Sequence, residues 1–197
     1  MRVVGGRLRS RLIAGPKGAG KPNNLRPTAD ALRESLFNIL GHAYGDPVTG
    51  ARVLDLFAGT GALGIEAISR GAAFALFVDE GAEARGLIRA NVEAFGLTGR
   101  TRIFRRDATR LGDTGTVAPF DVVFADPPYG HGLGERALAA ALAGGWLRPG
   151  AVAVLEEDAA ADVQPIPGFE TLETRRIGDT QVVFMMLVNL AAAASGP

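Results

Sequence analysis

The chain contains no cysteine, and that absence removes whole classes of chemistry at once. Thiolate zinc sites, iron–sulfur clusters, CxxC redox motifs and any mechanism needing a cysteine nucleophile have no residue to work with. Histidine is nearly missing too: His42 and His131 are too few for a histidine-based metal site, and both read as surface or loop residues. No metal is expected. Long hydrophobic runs are also lacking. The longest nearly apolar stretch, Val182 to Ala194 with Asn189 inside it, falls short of the ~20 residues that cross a bilayer. The first residues are Arg-rich without an apolar segment of signal-peptide length, so a cytoplasmic protein is expected. Neither charge sign is in excess, with 21 Lys and Arg against 21 Asp and Glu in 197 residues. A chain of this length removes roughly 70% of its extended surface from water on folding, enough to sustain a core without disulfides.

The balanced total hides an uneven distribution. Residues 1–26 hold seven basic side chains and no acid, leaving 14 basic and 21 acidic side chains for the remainder. A basic arm on an acidic body suits a polyanionic partner, because each phosphate contact releases condensed counterions; a solvated terminus is the other reading. Within the arm, Val3-Val4, Gly5-Gly6 and Arg7 to Ile13 suggest a small hairpin whose second strand alternates, placing Arg7, Arg9 and Arg11 on one face. Gly15 to Asn24 reads as a linker. Arg26-Pro27-Thr28 then starts a helix, with Thr28 as N-cap, Leu32, Leu36, Ile39 and Leu40 at helical spacing, and Gly41 as the stop.

From residue 51 onward strands alternate with helices. Strands are expected at Arg52–Phe57, Phe74–Asp79, Thr101–Arg106, Phe120–Ala125 and Ala151–Glu156, with helices at Ala62–Arg70, Ala82–Phe95 and Gly134–Ala143. Two last strands, about Glu170–Ile177 and Gln181–Val188, are joined by Gly178-Asp179-Thr180, which leaves no room for a crossover helix and forces antiparallel pairing. The expected fold is α/β: a doubly wound, mostly parallel seven-stranded sheet closed by an antiparallel hairpin. The expected division is an arm and linker over 1–26, a catalytic domain over 27–190 and a disordered tail over 191–197.

Ligands of open parallel sheets bind beyond the carboxyl ends of the strands, and here four strand ends are acidic: Asp55, Asp79, Asp107 and Asp126. Gly59-Thr60-Gly61-Ala62-Leu63-Gly64 after the first strand, with Asp79 twenty residues beyond Gly59, also fits a dinucleotide fingerprint. Asp55 argues otherwise. A carboxylate just before the turn opposes a pyrophosphate but suits the ammonium and sulfonium of S-adenosylmethionine. Asp79 can then take the ribose hydroxyls and Asp107 the adenine amine.

Asp126-Pro127-Pro128-Tyr129, directly after an apolar strand, is the most specific motif. An exocyclic amine conjugated to a ring has a delocalised lone pair. The Asp126 carboxylate and Pro127 carbonyl can accept its two N–H bonds and draw the nitrogen toward tetrahedral geometry, with both prolines stiffening the acceptors. Tyr129 offers a ring on which a flipped base can stack.

Taken together, Arg2-Val3-Val4-Gly5-Gly6, the segment Arg26 to Asn38, the segment Val53 to Ala67, Ser69-Arg70-Gly71-Ala72, Asn91, Asp126 to Tyr129 and Gly178-Asp179-Thr180 resemble the bacterial RsmD-type methyltransferases, in order along nearly the whole chain. The resemblance implies a class I, Rossmann-like methyltransferase that uses S-adenosylmethionine to methylate the exocyclic N2 of a guanine in 16S ribosomal RNA. It further implies cofactor contacts from Asp55, Phe57, Ala58, Gly59, Thr60, Gly61, Asp79, Glu80, Asp107, Ala108 and Asp126, and target-amine contacts from Asp126 to Tyr129. RNA contacts are implied for Arg2, Arg7, Arg9, Arg11, Arg26 and Thr28. The partner is expected to be 16S ribosomal RNA or a small-subunit assembly particle, and a monomer is expected. Two positions depart from the family pattern, Ala31 in place of Arg and Ile177 in place of Tyr, and the first of them thins the basic face of the helix. The alternatives are an N6-adenine or N4-cytosine nucleic-acid methyltransferase, and a non-catalytic RNA-binding or ribosome-assembly module.

Overall fold

The computed structural model describes residues 1–16 and 27–188. Lys17, Lys21 and Arg26 of the basic arm, the side chain of Thr28 and the tail from Ala191 to Pro197 lie outside the described residues. Seven strands make one sheet: Arg52–Leu56 (β1), Phe74–Val78 (β2), Thr101–Phe104 (β3), Phe120–Ala125 (β4), Leu147–Asp158 (β5), Phe169–Ile177 (β6) and Thr180–Leu187 (β7). Their order is β3-β2-β1-β4-β5-β7-β6. The first five run parallel, and β7 is antiparallel to both its neighbours. The chain winds outward one way through β2 and β3 and the other way through β4 and β5, so β1 and β4 flank the switch point where such sheets open a crevice.

Alternation along the strands divides the core between two faces. Val53, Phe77, Val122 and Phe124 pack toward helices Pro27–Ala43 (α1), Ala62–Ser69 (α2) and Ala82–Ala94 (α3). Leu54, Leu56, Leu76 and Val123 pack on the other side toward helix Leu133–Ala143 (α4) and Trp146. Trp146 is fully buried, lies parallel to the Phe120 ring at 6.3 Å and donates from Nε1 to the Gly112 carbonyl at 2.7 Å. The indole's one polar atom is thereby satisfied inside an apolar layer.

Three sequence expectations change. Helix α1 opens at Pro27, where a proline lacks only an amide the helix would leave unpaired, so Thr28 lies inside the first turn and not at the cap. It also runs through Gly41 to Ala43, and the reversal falls instead to Gly45 and Asp46, both with positive φ. Strand β5 begins four residues early because Leu147 pairs with Phe120 ahead of a register shift.

The third correction concerns the arm. Its ends do meet antiparallel, with Arg2 bridging Leu12 and the Val3 amide donating to the Arg11 carbonyl at 3.0 Å. Between them, however, Gly6–Leu8 forms a 3-10 turn, so Arg7, Arg9 and Arg11 do not share a strand face. The reason is docking. Fully buried Glu66 of α2 accepts from the Val4 and Gly5 amides at 2.9 and 2.8 Å, and the Ser69 hydroxyl accepts from Leu8 while donating to the Gly5 carbonyl. Arm amides that a second strand would have taken go to helix side chains instead. A Cβ on Gly6 would run into the Ser69 carbonyl, which explains the glycine.

Candidate active site

A cavity of about 370 Å³ opens at the carboxyl ends of β1, β4 and β5, within the usual size range for small-molecule sites. Its floor follows from the register. Leu56 pairs with Ala125 and Ala125 with Leu155, so the residues one step further, Phe57 and Asp126 just past their strands and Glu156 still within β5, lie side by side. All three line the cavity.

The turn after β1 supplies one wall. Phe57 adopts φ +58, a left-handed conformation that costs a non-glycine residue about 1–2 kcal/mol and turns the chain sharply out of the strand. Ala58, Gly59 and Thr60 follow along the wall, while Gly61 lies beneath it, capping α2 and donating its amide to the Ala58 carbonyl at 2.7 Å. Gly64 sits where a Cβ would collide with the Phe77 ring, so its absence lets α2 lie against β2. Asp79 ties the turn down, accepting from the Gly59 amide at 2.9 Å with one oxygen and from Gly81 at 2.7 Å with the other.

Asp55 is buried at the base of this wall and accepts from the Gly64 amide at 2.8 Å. Burial pushes its carboxyl well above the usual range; the single amide bond pulls the other way, and the charges of Asp126 and Asp79 add to the rise. Asp126 to Tyr129 form the opposite wall. The Tyr129 hydroxyl donates to Glu156 at 2.7 Å and lies 3.4 Å from the Thr180 hydroxyl, and the Gly130 amide donates to buried Glu157 at 2.9 Å. Burial first, then Glu156 and Asp126, hold the phenol far above its ordinary pKa, so at neutral pH it is a donor.

Phe57 also borders a small adjoining recess of about 30 Å³ lined by Asp79, Glu80, Asp107 and Ala108. Asp107 caps the 3-10 turn Ala108–Arg110, accepting from the Thr109 hydroxyl at 2.7 Å and amide at 2.8 Å, and these bonds lower its pKa. The structure thus gathers the expected residues into two contiguous spaces, apart from Gly61 and the arm. Arg2, Arg7 and Arg9 are exposed on the arm surface. Arg11 is exposed as well but tethered, stacking 4.6 Å from the Phe95 ring centroid and donating to the Ala94 carbonyl at 2.6 Å.

Sequence reasoning assigned no role to five participants. Met1 and Arg33 line the cavity, and Glu66 and Asn91 hold the arm beside it. Asn91 accepts from the Ala14 amide at 2.8 Å and donates to the carbonyls of Ala14 and Thr60 at 3.1 and 3.0 Å, joining the arm to the glycine turn. Glu156 was also overlooked, although the rule that singled out the other strand-end acids applies to it equally.

A glycine turn after β1, acids ending β1 and β2, an Asp-Pro-Pro-Tyr loop after β4 and a reversed β7 together define the fold of the S-adenosylmethionine-dependent methyltransferases. The chain belongs, more narrowly, to the family described as Conserved hypothetical protein 95, which matches residues 1–186. It is similar to Ribosomal RNA small subunit methyltransferase D of Escherichia coli K12, with 35% identity over 90% of this chain and 84% of that protein. The protein of the same name from Haemophilus influenzae is 31% identical over 80% of this chain and 79% of its own length. Among solved structures, Escherichia coli yhhF superposes with a TM-score of 0.78 at 29% identity, covering 95% of this chain and 98% of that one. A Thermus thermophilus 16S rRNA N2 methyltransferase, RsmC, solved with AdoMet and guanosine, gives a TM-score of 0.64 at 25% identity over 94% of this chain and 49% of that one.

Proposed function

We propose that the protein transfers a methyl group from S-adenosylmethionine to the exocyclic N2 amine of a guanine in small-subunit ribosomal RNA. The observation that carries this reading is the strand register that sets the Asp126-Pro-Pro-Tyr loop across one cavity from Asp55 and the glycine turn. The names of the relatives supply the ribosomal RNA, and RsmC supplies the guanine amine. In this reading the protein works in the cytoplasm; among the described residues no helix is long and apolar enough to cross a membrane.

The donor set fits a cationic cofactor. The charges of Asp126 and Asp79 add to the cost of ionising buried Asp55, and a pyrophosphate would add to that cost where a sulfonium and an ammonium relieve it. In this assignment Asp55 and the turn Phe57 to Gly61 hold the amino-acid end, Asp79 and Glu80 the ribose, and Asp107 and Ala108 the adenine. When bound, S-adenosylmethionine supplies an electrophilic methyl whose bond to sulfur breaks as the bond to nitrogen forms. Asp126 and the Pro127 carbonyl hold the amine by its two hydrogens, and the prolines keep both acceptors in place. Tyr129, fixed through its hydroxyl by Glu156 and Thr180, presents its ring to the flipped base. The methylated nitrogen, briefly cationic, then gives up a proton to solvent. Arg2, Arg7 and Arg9, on the arm whose Met1 borders the cavity, face the RNA backbone.

Asp55 also gives a test by pH. Its folded-state pKa is raised, so burial costs nothing while the unfolded chain's Asp is itself protonated, below about pH 3.9, and costs stability increasingly as pH rises above that. Asp55→Asn is therefore expected to raise the melting temperature of the ligand-free protein at pH 7 more than at pH 3.5. It should also weaken S-adenosylmethionine binding at least about tenfold, measured by titration calorimetry. Unchanged affinity would remove Asp55 from the donor site.

The substrate is tested by nucleoside mass spectrometry of small-subunit RNA from cells with and without the gene. One N2-methylguanosine should disappear on deletion and return on complementation. Loss of N6-methyladenosine or N4-methylcytidine instead would transfer the activity to those amines, and an unchanged nucleoside profile would overturn the reading.

A further inference from the structure

We infer that Glu156 is the residue that selects guanine, by accepting the hydrogen on the ring nitrogen next to the reacting amine. The inference rests on the proposed methyl transfer and adds what distinguishes one conjugated amine from another. An acceptor pair such as Asp126 and the Pro127 carbonyl grips any such amine and is blind to the ring behind it. The three candidate bases differ at the adjacent ring atom. Guanine carries a hydrogen on N1, whereas adenine N1 and cytosine N3 present a lone pair.

The register places an answer to that difference in the wall. Asp126 and Glu156 each follow a residue of the Ala125–Leu155 pair, on parallel strands that lie ~4.8 Å apart. Both line the cavity. Carboxylates borne side by side on neighbouring strands can converge on two adjacent donors, the amine and the N1 hydrogen of guanine. The Tyr129 hydroxyl donating to Glu156 at 2.7 Å fixes the direction of the Glu156 side chain, whose carboxylate oxygens are acceptors. Adenine or cytosine in the same pose would set a ring lone pair against that carboxylate. Sites that hydrogen-bond one analogue and leave the other's groups opposed discriminate far more sharply than apolar pockets do.

Glu156→Gln tests the assignment because it preserves size and can still accept from Tyr129 through its carbonyl, turning an amide N–H donor toward the base. Guanosine and 2-aminopurine riboside serve as probes: both carry the 2-amine, but 2-aminopurine has a bare N1. Each is titrated as an inhibitor of methylation of small-subunit particles purified from cells lacking the gene. Wild-type protein should be inhibited by guanosine at a concentration at least about tenfold lower than by 2-aminopurine riboside, one charge-assisted hydrogen bond being worth about that factor. In Glu156→Gln the preference should collapse to within threefold or invert, with S-adenosylmethionine affinity and melting temperature unchanged. Equal inhibition of the wild type by the two nucleosides, at whatever concentration, overturns the inference, as does a preference that survives in Glu156→Gln. Failure of the wild type to form N2-methylguanosine in those particles instead overturns the proposed methyl transfer, so the two failures are told apart.

Discussion

Replacing Asp126 with alanine is expected to slow methyl transfer at least about 100-fold while the dissociation constant for S-adenosylmethionine moves less than about fivefold. The carboxylate follows β4 on the wall opposite Asp55 and the glycine turn, where the target amine has to enter. Removing it takes away an acceptor whose contribution arises as the nitrogen loses conjugation, so the loss belongs in kcat. Asp126 borders the donor side as well, and its charge is among those that raise Asp55, so in the variant the easier ionisation of Asp55 offsets the negative charge withdrawn from the cationic donor. Single-turnover rates and calorimetry on the same preparation separate the two effects. Parallel loss of rate and affinity would mean that Asp126 serves the donor and not the amine.

Glu66→Ala is expected to have the largest effect on stability, about 3–5 kcal/mol. Glu66 is fully buried and takes the Val4 and Gly5 amides, the Arg70 guanidinium at 2.8 Å and that of buried Arg33 at 3.5 Å. Arg33 donates in turn to the Arg2 carbonyl and pairs with Asp30 at 2.8 Å, so α1, α2 and the arm meet at one carboxylate. Its removal strands two amides and takes one of two carboxylates from the buried Arg33 guanidinium, which is why the cost exceeds that of a lost surface pair. A fall in melting temperature of roughly 6–20 °C should follow for a domain of this size, with faster hydrogen exchange at Val4 and Gly5. A change under about 1 kcal/mol would show that apolar docking of Val3 and Leu8 alone holds the arm.

The contrast between Glu66 and Asp126 shows where sequence was informative. Strand ends are local: an apolar run followed by Asp-Pro-Pro-Tyr or Gly-x-Gly announces both the element and the chemistry at its tip, so the sheet, the reversed β7 and both cavity walls were legible. The same local rule reached Asp79 and Asp107, although the structure engages both with backbone amides. Glu66 was opaque because all its partners but Arg70 come from segments about 30 and 60 residues away, and a lone acid in an otherwise apolar helix does not name them by itself. The arm failed for a related reason. Its alternating Arg and Leu pattern is that of a strand, but the local preference yielded to Ser69 and Glu66, which offered its amides better partners than a strand could. Gly41 failed more simply, since an exposed glycine inside a helix costs about 1 kcal/mol and the apolar contacts of Ile39 and Leu40 outweigh it.

The seat of the arm also sets an order of events during synthesis. Segment 1–14 closes on Glu66, Ser69 and Asn91, so during synthesis it has nothing complete to dock against until some 77 residues more have followed. At ~5–20 residues per second that delay is several seconds, during which Val3, Leu8 and Ile13 stay solvated and the cationic stretch is within reach of the translating ribosome's own RNA. The glycine turn is held to the arm through Asn91, so that link between the donor crevice and the arm can form only once residue 91 has been made.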